Sequence, residues 1–246
     1  MRKRKLNDCS ASTALMARFT GQHTSKSSTG AVWNKIFYSK YECEVLKHYL
    51  SNLRTFDLVM KLPTDCNASG SVLSSTRQLR GVFVTNKNLA LYNEFLDSTS
   101  FSFETSPFNL PLLLEKDMGT LHVLLLELCE RINMKFNANV NHITIQSYDN
   151  NGESHHNAHK DKDRNWIPNA SFFVLSIGHT RYFRLGQRCD GIRKIIDEFP
   201  LEQGSLLEIP FATNRLYDHD IPKRSFGSGN SKLPRYSLVF RQMKSV

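Results

Sequence analysis

Apolar residues recur along this chain at two periods, and the change from one to the other divides it. After Ser39-Lys40-Tyr41-Glu42, a capping-box sequence, Leu46, Tyr49, Leu50 and Leu53 follow at helical spacing and predict an amphipathic helix. Leu121, Leu124, Leu125, Leu128 and Ile132 predict a second helix whose continuous stripe lies against a core. From about residue 140 the period falls to two. Strands are predicted at about 140–148, 171–177, 181–186, 192–198, 205–210, 213–219 and 234–241, divided by turns. Short strands this dense, without alternating helices, indicate a sandwich or barrel rather than βαβ units. Between the helices, residues 64–80 read as polar loop, and 80–103 mixes strand-like runs such as Val82-Phe83-Val84 with polar breaks.

The last strand sorts most cleanly. Arg235, Ser237, Val239 and Arg241 share one face, and Tyr236, Leu238 and Phe240 share the other. If the apolar face packs outward against a cover, two arginines point inward, which is costly unless they meet an anion. Their Cα atoms stand roughly 20 Å apart at strand rise, too far to clasp one carboxylate but close enough to hold opposite ends of a small diacid. The alternative is an edge strand with both arginines in water.

Composition changes the picture less than the total charge suggests. The 246 residues make one large domain, or a domain with a tail, with room for a substantial core. Of the formal +9, residues 1–40 carry +7, with eight Lys or Arg against Asp8 alone. The remaining 24 basic and 22 acidic residues nearly cancel, so bulk charge does not mark the body as a polyanion binder. Residues 1 to about 30, rich in Ser, Thr and base, read as a disordered tail, and 31–246 as the folded domain. Arg2-Lys3-Arg4-Lys5 is compatible with a nuclear address, a nucleic-acid arm, a mitochondrial leader or a merely solvated tail. Five scattered cysteines without a CxxC suit a reducing compartment, and no apolar run approaches membrane-spanning length. The expectation is an intracellular monomer of the nucleus, cytoplasm or mitochondrion, with no membrane partner.

Candidate chemistry centres on His155-His156-Asn157-Ala158-His159-Lys160-Asp161-Lys162-Asp163. On an extended backbone His159 and Asp161 point the same way and offer part of a transition-metal ligand set. His219 is the best third ligand. Two His and one carboxylate on one side of iron(II) leave positions open for oxygen activation. The competing readings are a solvated loop and a structural zinc held by His155, His156 and His159, which would need a fourth ligand and has only Cys189 to draw on.

Together these pieces resemble the AlkB family of iron(II)- and 2-oxoglutarate-dependent oxygenases over roughly residues 136–242. The carriers are Phe136-Asn137, Ile143 to Tyr148 with the turn at Asn150-Asn151-Gly152, His159 to Asp163, and Val174 to Gly178. Phe183-Arg184-Leu185, Leu201 to Leu207, His219, and Arg235 to Gln242 complete them, in the family's order and spacing. The resemblance implies a mainly β, α+β fold: a double-stranded β-helix, or jelly roll, with helices packed on one sheet. It implies His159, Asp161 and His219 as Fe(II) ligands, and 2-oxoglutarate and O2 as co-substrates. By it Arg235 pairs with the distal carboxylate of 2-oxoglutarate, Tyr148 donates to it, and Arg241 sits nearer the metal. Gln146 stands where asparagine is usual, and Asp163 matches an acidic residue that contacts the damaged base in some members. An upstream lid would carry an aromatic over the base, with Phe83 and Tyr92 as candidates.

The implied activity is oxidative demethylation of N-alkylated bases in DNA or RNA, single-stranded or with the base flipped out. Two alternatives remain at this point. One is the same chemistry on a tRNA nucleoside, a protein or a lipid; the other is a nucleic-acid-binding module that no longer turns over.

Overall fold

A computed structural model describes residues 24–52, 78–84, 115–148, 154–163, 166–223 and 234–244. Its elements run β1 (Thr24–Lys26), β2 (Val32–Asn34), α1 (Lys40–Asn52), β3 (Gln78–Val84), α2 (Glu115–Phe136), β4 (His142–Tyr148) and β5 (His156–His159). They continue as β6 (Phe172–Gly178), β7 (Arg181–Cys189), β8 (Ile192–Leu201), β9 (Leu206–Ile209), α3 (Phe211–Leu216), β10 (Asp218–Ile221) and β11 (Arg235–Arg241). A seven-stranded sheet has the order β1-β2-β9-β6-β11-β4-β3, and a four-stranded sheet the order β5-β10-β7-β8. Every described strand pair is antiparallel.

Alternation decides which side of the large sheet each residue serves. Ile143 and Ile145 of β4, Phe173, Leu175 and Ile177 of β6, and Tyr236, Leu238 and Phe240 of β11 pack in one core with Leu46, Leu50, Leu121, Leu125, Leu128 and Ile132 of the helices. Tyr148, Phe172, Val174 and Val239 turn the other way and meet Phe183, Leu185, Phe199 and Ile221 of the small sheet. The helices therefore cover the back of one sheet, and the space between the sheets receives the opposite faces of β4 and β11. A slip of one residue in β11 would exchange these two sets, so register is strongly specified. Leu238↔Ile145 and Leu238↔Leu175 fix it from both neighbours.

The capping box of α1 forms as expected: the Ser39 N–H donates to Glu42 Oε2 (2.9 Å), and the Glu42 N–H to Ser39 Oγ (3.3 Å). Arg131 of α2 bonds Glu42 at 2.7 Å and ties the two helices together. Gly204 receives the chain entering α1. Its carbonyl accepts the N–H groups of Phe37 and Tyr38, and its own N–H donates to Ser176 O. With φ +79° and a Cβ that would fall 2.2 Å from Tyr38 O, only glycine fits. Gly204→Ala is expected to cost about 2–3 kcal/mol of stability, measured by urea denaturation.

Three expectations are corrected. Residues 24–30, expected in the tail, belong to the fold: β1 pairs with β2, and the Thr29 carbonyl accepts from Thr213 Oγ1 at 2.7 Å. Their polar side chains hid a hairpin arm that is fixed by backbone pairing. Residues 1–23 lie outside the described residues. The strand expected at 213–219 is instead α3 followed by β10. Pro210, lacking an N–H, stops the β9 ladder and caps a short helix in which the Asn214 N–H reaches the Pro210 carbonyl at 3.1 Å. Residues 78–80, read as loop, begin β3. Most of the 64–80 loop, the turn at 150–152, the Gly-Ser loop at 225–230 and Tyr92 lie outside the described residues, as does the side chain of Phe83.

Candidate metal centre

The three sequence candidates meet where β5 and β10 pair. His159 and His219 face each other directly in the register. Asp161 follows β5, and the ligand atoms of all three lie within 4.8 Å of one another. Asp161 Oδ1 lies 3.3 Å from His159 Nε2 and 3.7 Å from His219 Nε2, so one oxygen addresses both rings. Among the described residues no other cluster of His, Cys, Asp and Glu is gathered for a metal. The zinc set of His155, His156 and His159 does not assemble as a ligand group; the His156 ring lies tilted against His159 with centroids 3.8 Å apart, and Cys189 is exposed.

Neighbouring groups fix which atoms are offered. His159 Nδ1 lies 2.8 Å from the Asn157 carbonyl, which can only accept, so Nδ1 carries the proton and Nε2 keeps its lone pair. Arg241 Nε and Nη2 donate to Asp161 Oδ2 at 3.1 and 2.6 Å, leaving Oδ1 for the rings. Arg241 is itself oriented by Nη1 donating to Thr144 Oγ1 at 2.8 Å. Burial opposes ionisation of Asp161. The Arg241 charge, with the nearby His219 and His159 rings, outweighs it and holds the carboxyl well below its ordinary range. Phe183 stacks on the His219 ring at 5.1 Å, and Phe172 approaches it at 5.6 Å.

A residue that the sequence did not single out holds the loop of Asp161. Asn214, buried on α3, accepts the Asp161 N–H at 3.1 Å and donates to the Asp161 carbonyl at 3.0 Å. Lys160 Nζ meanwhile donates to the carbonyls of Arg215 and Leu216 at the end of that helix. On the outside of the small sheet, Asp218 and Asp220 flank His219 and engage Arg193 and Arg184. Gly186 permits this crossing, since a Cβ there would stand 2.5 Å from Arg193 Nε.

A pocket opens from the three residues between the sheets, lined also by Gln146, Tyr148, Ser237 and Arg241. The Tyr148 hydroxyl donates to Gln146 Oε1 at 3.2 Å, so the longer amide holds the phenol. Arg235 is 1% exposed and packs its guanidinium over the Tyr148 ring at 4.8 Å. Its Nε, Nη1 and Nη2 have no hydrogen-bond partner among the described residues. Burial above all, and then the charge of Arg181, push its pKa down to about 10, with Tyr148 opposing. A buried cation lacking acceptors suits the carboxylate of an entering ligand. Asp163 is not among the pocket residues; it is half-buried, and its carbonyl accepts the Trp166 N–H.

The two His and the carboxylate share one side, with oxygen and nitrogen donors suited to Fe(II). Residues 115–241 match the family model of the 2OG-Fe(II) oxygenase superfamily. Among solved structures the chain is similar to "The structure of OsALKBH1", at TM-score 0.52 and 16% identity over 89% of this chain and 99% of that one. A 2OG-Fe(II) oxygenase family oxidoreductase from Burkholderia pseudomallei aligns at TM-score 0.44 and 12% identity over 97% of this chain and 92% of that one. No curated protein matches the sequence. The family match covers the strands that carry both histidines and both arginines, and the chain belongs to the 2OG-Fe(II) oxygenase superfamily, as an oxidoreductase of AlkB-like fold that uses Fe(II), 2-oxoglutarate and O2.

Proposed function

We propose that this oxygenase demethylates N-alkylated bases in single-stranded or locally opened DNA or RNA, with His159, Asp161 and His219 as its iron ligands. The observation that carries the ligand assignment is the single Asp161 oxygen facing both imidazoles across the β5–β10 pair. When bound, iron with 2-oxoglutarate and O2 supplies the oxidation: the co-substrate loses CO2 to become succinate, and one oxygen atom hydroxylates the N-alkyl carbon, whose hemiaminal collapses to an aldehyde and the restored base.

The chain's own part is orientation and exclusion. His159 presents Nε2 because Nδ1 is held by Asn157, and Asp161 presents Oδ1 because Oδ2 is held by Arg241. Arg235, buried behind the Tyr148 ring that lines the pocket, receives the distal carboxylate, with Tyr148 and Gln146 beside it. Phe172 and Phe183 keep water from the back of His219.

The nucleic-acid part of the reading is supported by the AlkB-like order of motifs and by the β7–β8 hairpin. Leu185 pairs with His219 in the sheet, and exposed Arg188 lies three residues farther along, roughly 10 Å. Exposed Lys194, beside Arg193 on the return strand, adds charge for a phosphate backbone. The test is to supply Fe(II), 2-oxoglutarate and methylated oligonucleotides, single- and double-stranded, DNA and RNA, while following succinate and formaldehyde. Formaldehyde in step with succinate is expected, fastest on single strands, where no base must be unstacked. Succinate release that no oligonucleotide accelerates, without formaldehyde, would move the substrate to a protein, a lipid or a modified nucleoside.

A further inference from the structure

The four-stranded sheet ends on β8, and among the described strands β8 bonds to β7 alone. Its outer row of N–H and C=O groups is a template for another strand. Ile192, Ile195 and Ile196 are exposed along it, the last two at 43% and 42%. The charges around them form a palindrome: Arg193-Lys194 precedes Ile195-Ile196, and Asp197-Glu198 follows. Lys194 and Glu198 are exposed, and neither makes an ion pair among the described residues. A bulge ordinarily blunts an edge for pairing. Here it has the opposite effect. Ile195 pairs with Gly186 and Asp197 with Leu185, so Ile196 is the extra residue. Lys194 and Asp197 therefore oppose Gln187 and Leu185, two positions apart on β7, and share one face of the sheet. Arg193 and Glu198, opposite Arg188 and Arg184, share the other. Without the extra residue Lys194 and Asp197 would point to opposite faces.

We propose that β8 is a dimerisation edge, and that its occupant is β8 of a second copy of this chain, antiparallel about a two-fold axis between Ile195 and Ile196. A two-fold axis normal to the sheet keeps each side chain on its own face. It sets Lys194 of each copy against Asp197 of the other on one face, and Arg193 against Glu198 on the other, with the isoleucines at the axis. Arg193 is already held by Asp218 at 2.5 Å and Asp220 at 2.7 Å, so the two Lys194–Asp197 pairs are the ones that association creates. Asp197 accepts Thr29 Oγ1 at 3.3 Å and keeps acceptor capacity for a lysine. Such an interface is isologous and closes at two copies instead of propagating. The two four-stranded sheets join into one of eight strands, with a β5 at each far end.

The experiment is sedimentation equilibrium of the full chain, freed of nucleic acid because Lys194 is also a candidate phosphate contact. Wild type is expected to pass from monomer to dimer over micromolar concentrations and to stop there. In each dimer Lys194→Glu brings carboxylates face to face at both pairs, and Asp197→Lys does the same with ammonium groups. Each variant alone is expected to associate about tenfold or more weakly than wild type. Mixed in equal amounts, the two place unlike charges at both pairs, and association is expected to return to within about threefold of wild type. A wild type that stays monomeric, a single variant that associates as wild type does, or a mixture that fails to recover overturns the proposal. So does growth beyond the dimer, which marks open edge-to-edge aggregation. Where a variant fails to fold, amide exchange of the wild type decides. Slower exchange at 192–198 with rising protein concentration supports the pairing, and unchanged rates there refute it.

Discussion

Asp161→Ala is expected to bring succinate release to background and to weaken metal binding at least a hundredfold, while His155→Ala keeps both within about threefold. Three roles converge on the Asp161 carboxylate. Oδ1 faces both imidazoles, Oδ2 anchors Arg241, and the charge is stabilised against burial by that arginine and by the histidines. Its removal takes away a proposed ligand and leaves a half-buried guanidinium that, among the described residues, keeps the Thr144 hydroxyl as its side-chain partner. His155 lies just before β5 and outside the cluster, so its loss removes no ligand atom from the three that meet. Co(II) titration followed by visible absorption, together with succinate assays, separates ligand loss from misfolding. A His155 variant that loses metal while the Asp161 variant keeps it would refute the assignment.

Arg235→Met is expected to raise the KM for 2-oxoglutarate about a hundredfold or more, and at the same time to make the ligand-free protein more stable. The sign follows from its depressed pKa. A base that titrates at about 10 in the fold and higher when unfolded is destabilising wherever it is protonated in both states. That cost is in full force below about pH 10 and is relieved only as pH rises through it. At neutral pH its removal is worth on the order of 3 kcal/mol, and methionine adds apolar contact in a site already closed to water. Binding of a dicarboxylate should relieve the same cost in the wild type. Thermal denaturation with and without 2-oxoglutarate therefore tests both halves: a large ligand-induced rise in Tm for wild type, and a higher baseline with no rise for the variant. A variant less stable than wild type without ligand would show that Arg235 serves the fold first.

Much of the architecture could be read from side-chain periodicity, because the helices and the sheet interior are strongly patterned. The stripe from Leu121 to Ile132 and the alternation in β4, β6 and β11 each have one solution that buries every large apolar group. The inward face of β11 was legible for the same reason. What escaped detection was held by polar or backbone interactions. In β1 all three side chains are exposed, so no alternation exists to detect. In α3 the order Phe, Ala, Thr, Asn, Arg, Leu imitates a strand, and the helix is fixed by Pro210 and by bonds from Thr213 and Asn214 to distant segments. The meeting of His159, Asp161 and His219 was anticipated, but the Asn214 amide that grips the Asp161 backbone was not. Nothing in a single asparagine announces a partner 53 residues away. Gln146 shows the reverse: the substitution was visible, and only the structure reveals that its oxygen accepts the hydrogen bond of the Tyr148 hydroxyl.

The opposition of His159 and His219 has a mechanical side. β5 has four residues and lies at the margin of the small sheet, bonded among the described strands to β10 alone. An ion gripped from both members of that pair rivets the outermost ribbon to its neighbour, as a crosslink would. With the proposed ligands, iron supply would govern how firmly this flank of the molecule is shut as well as whether it can oxidise anything. Starved of metal, the polypeptide would fray first at the segment that must recapture it.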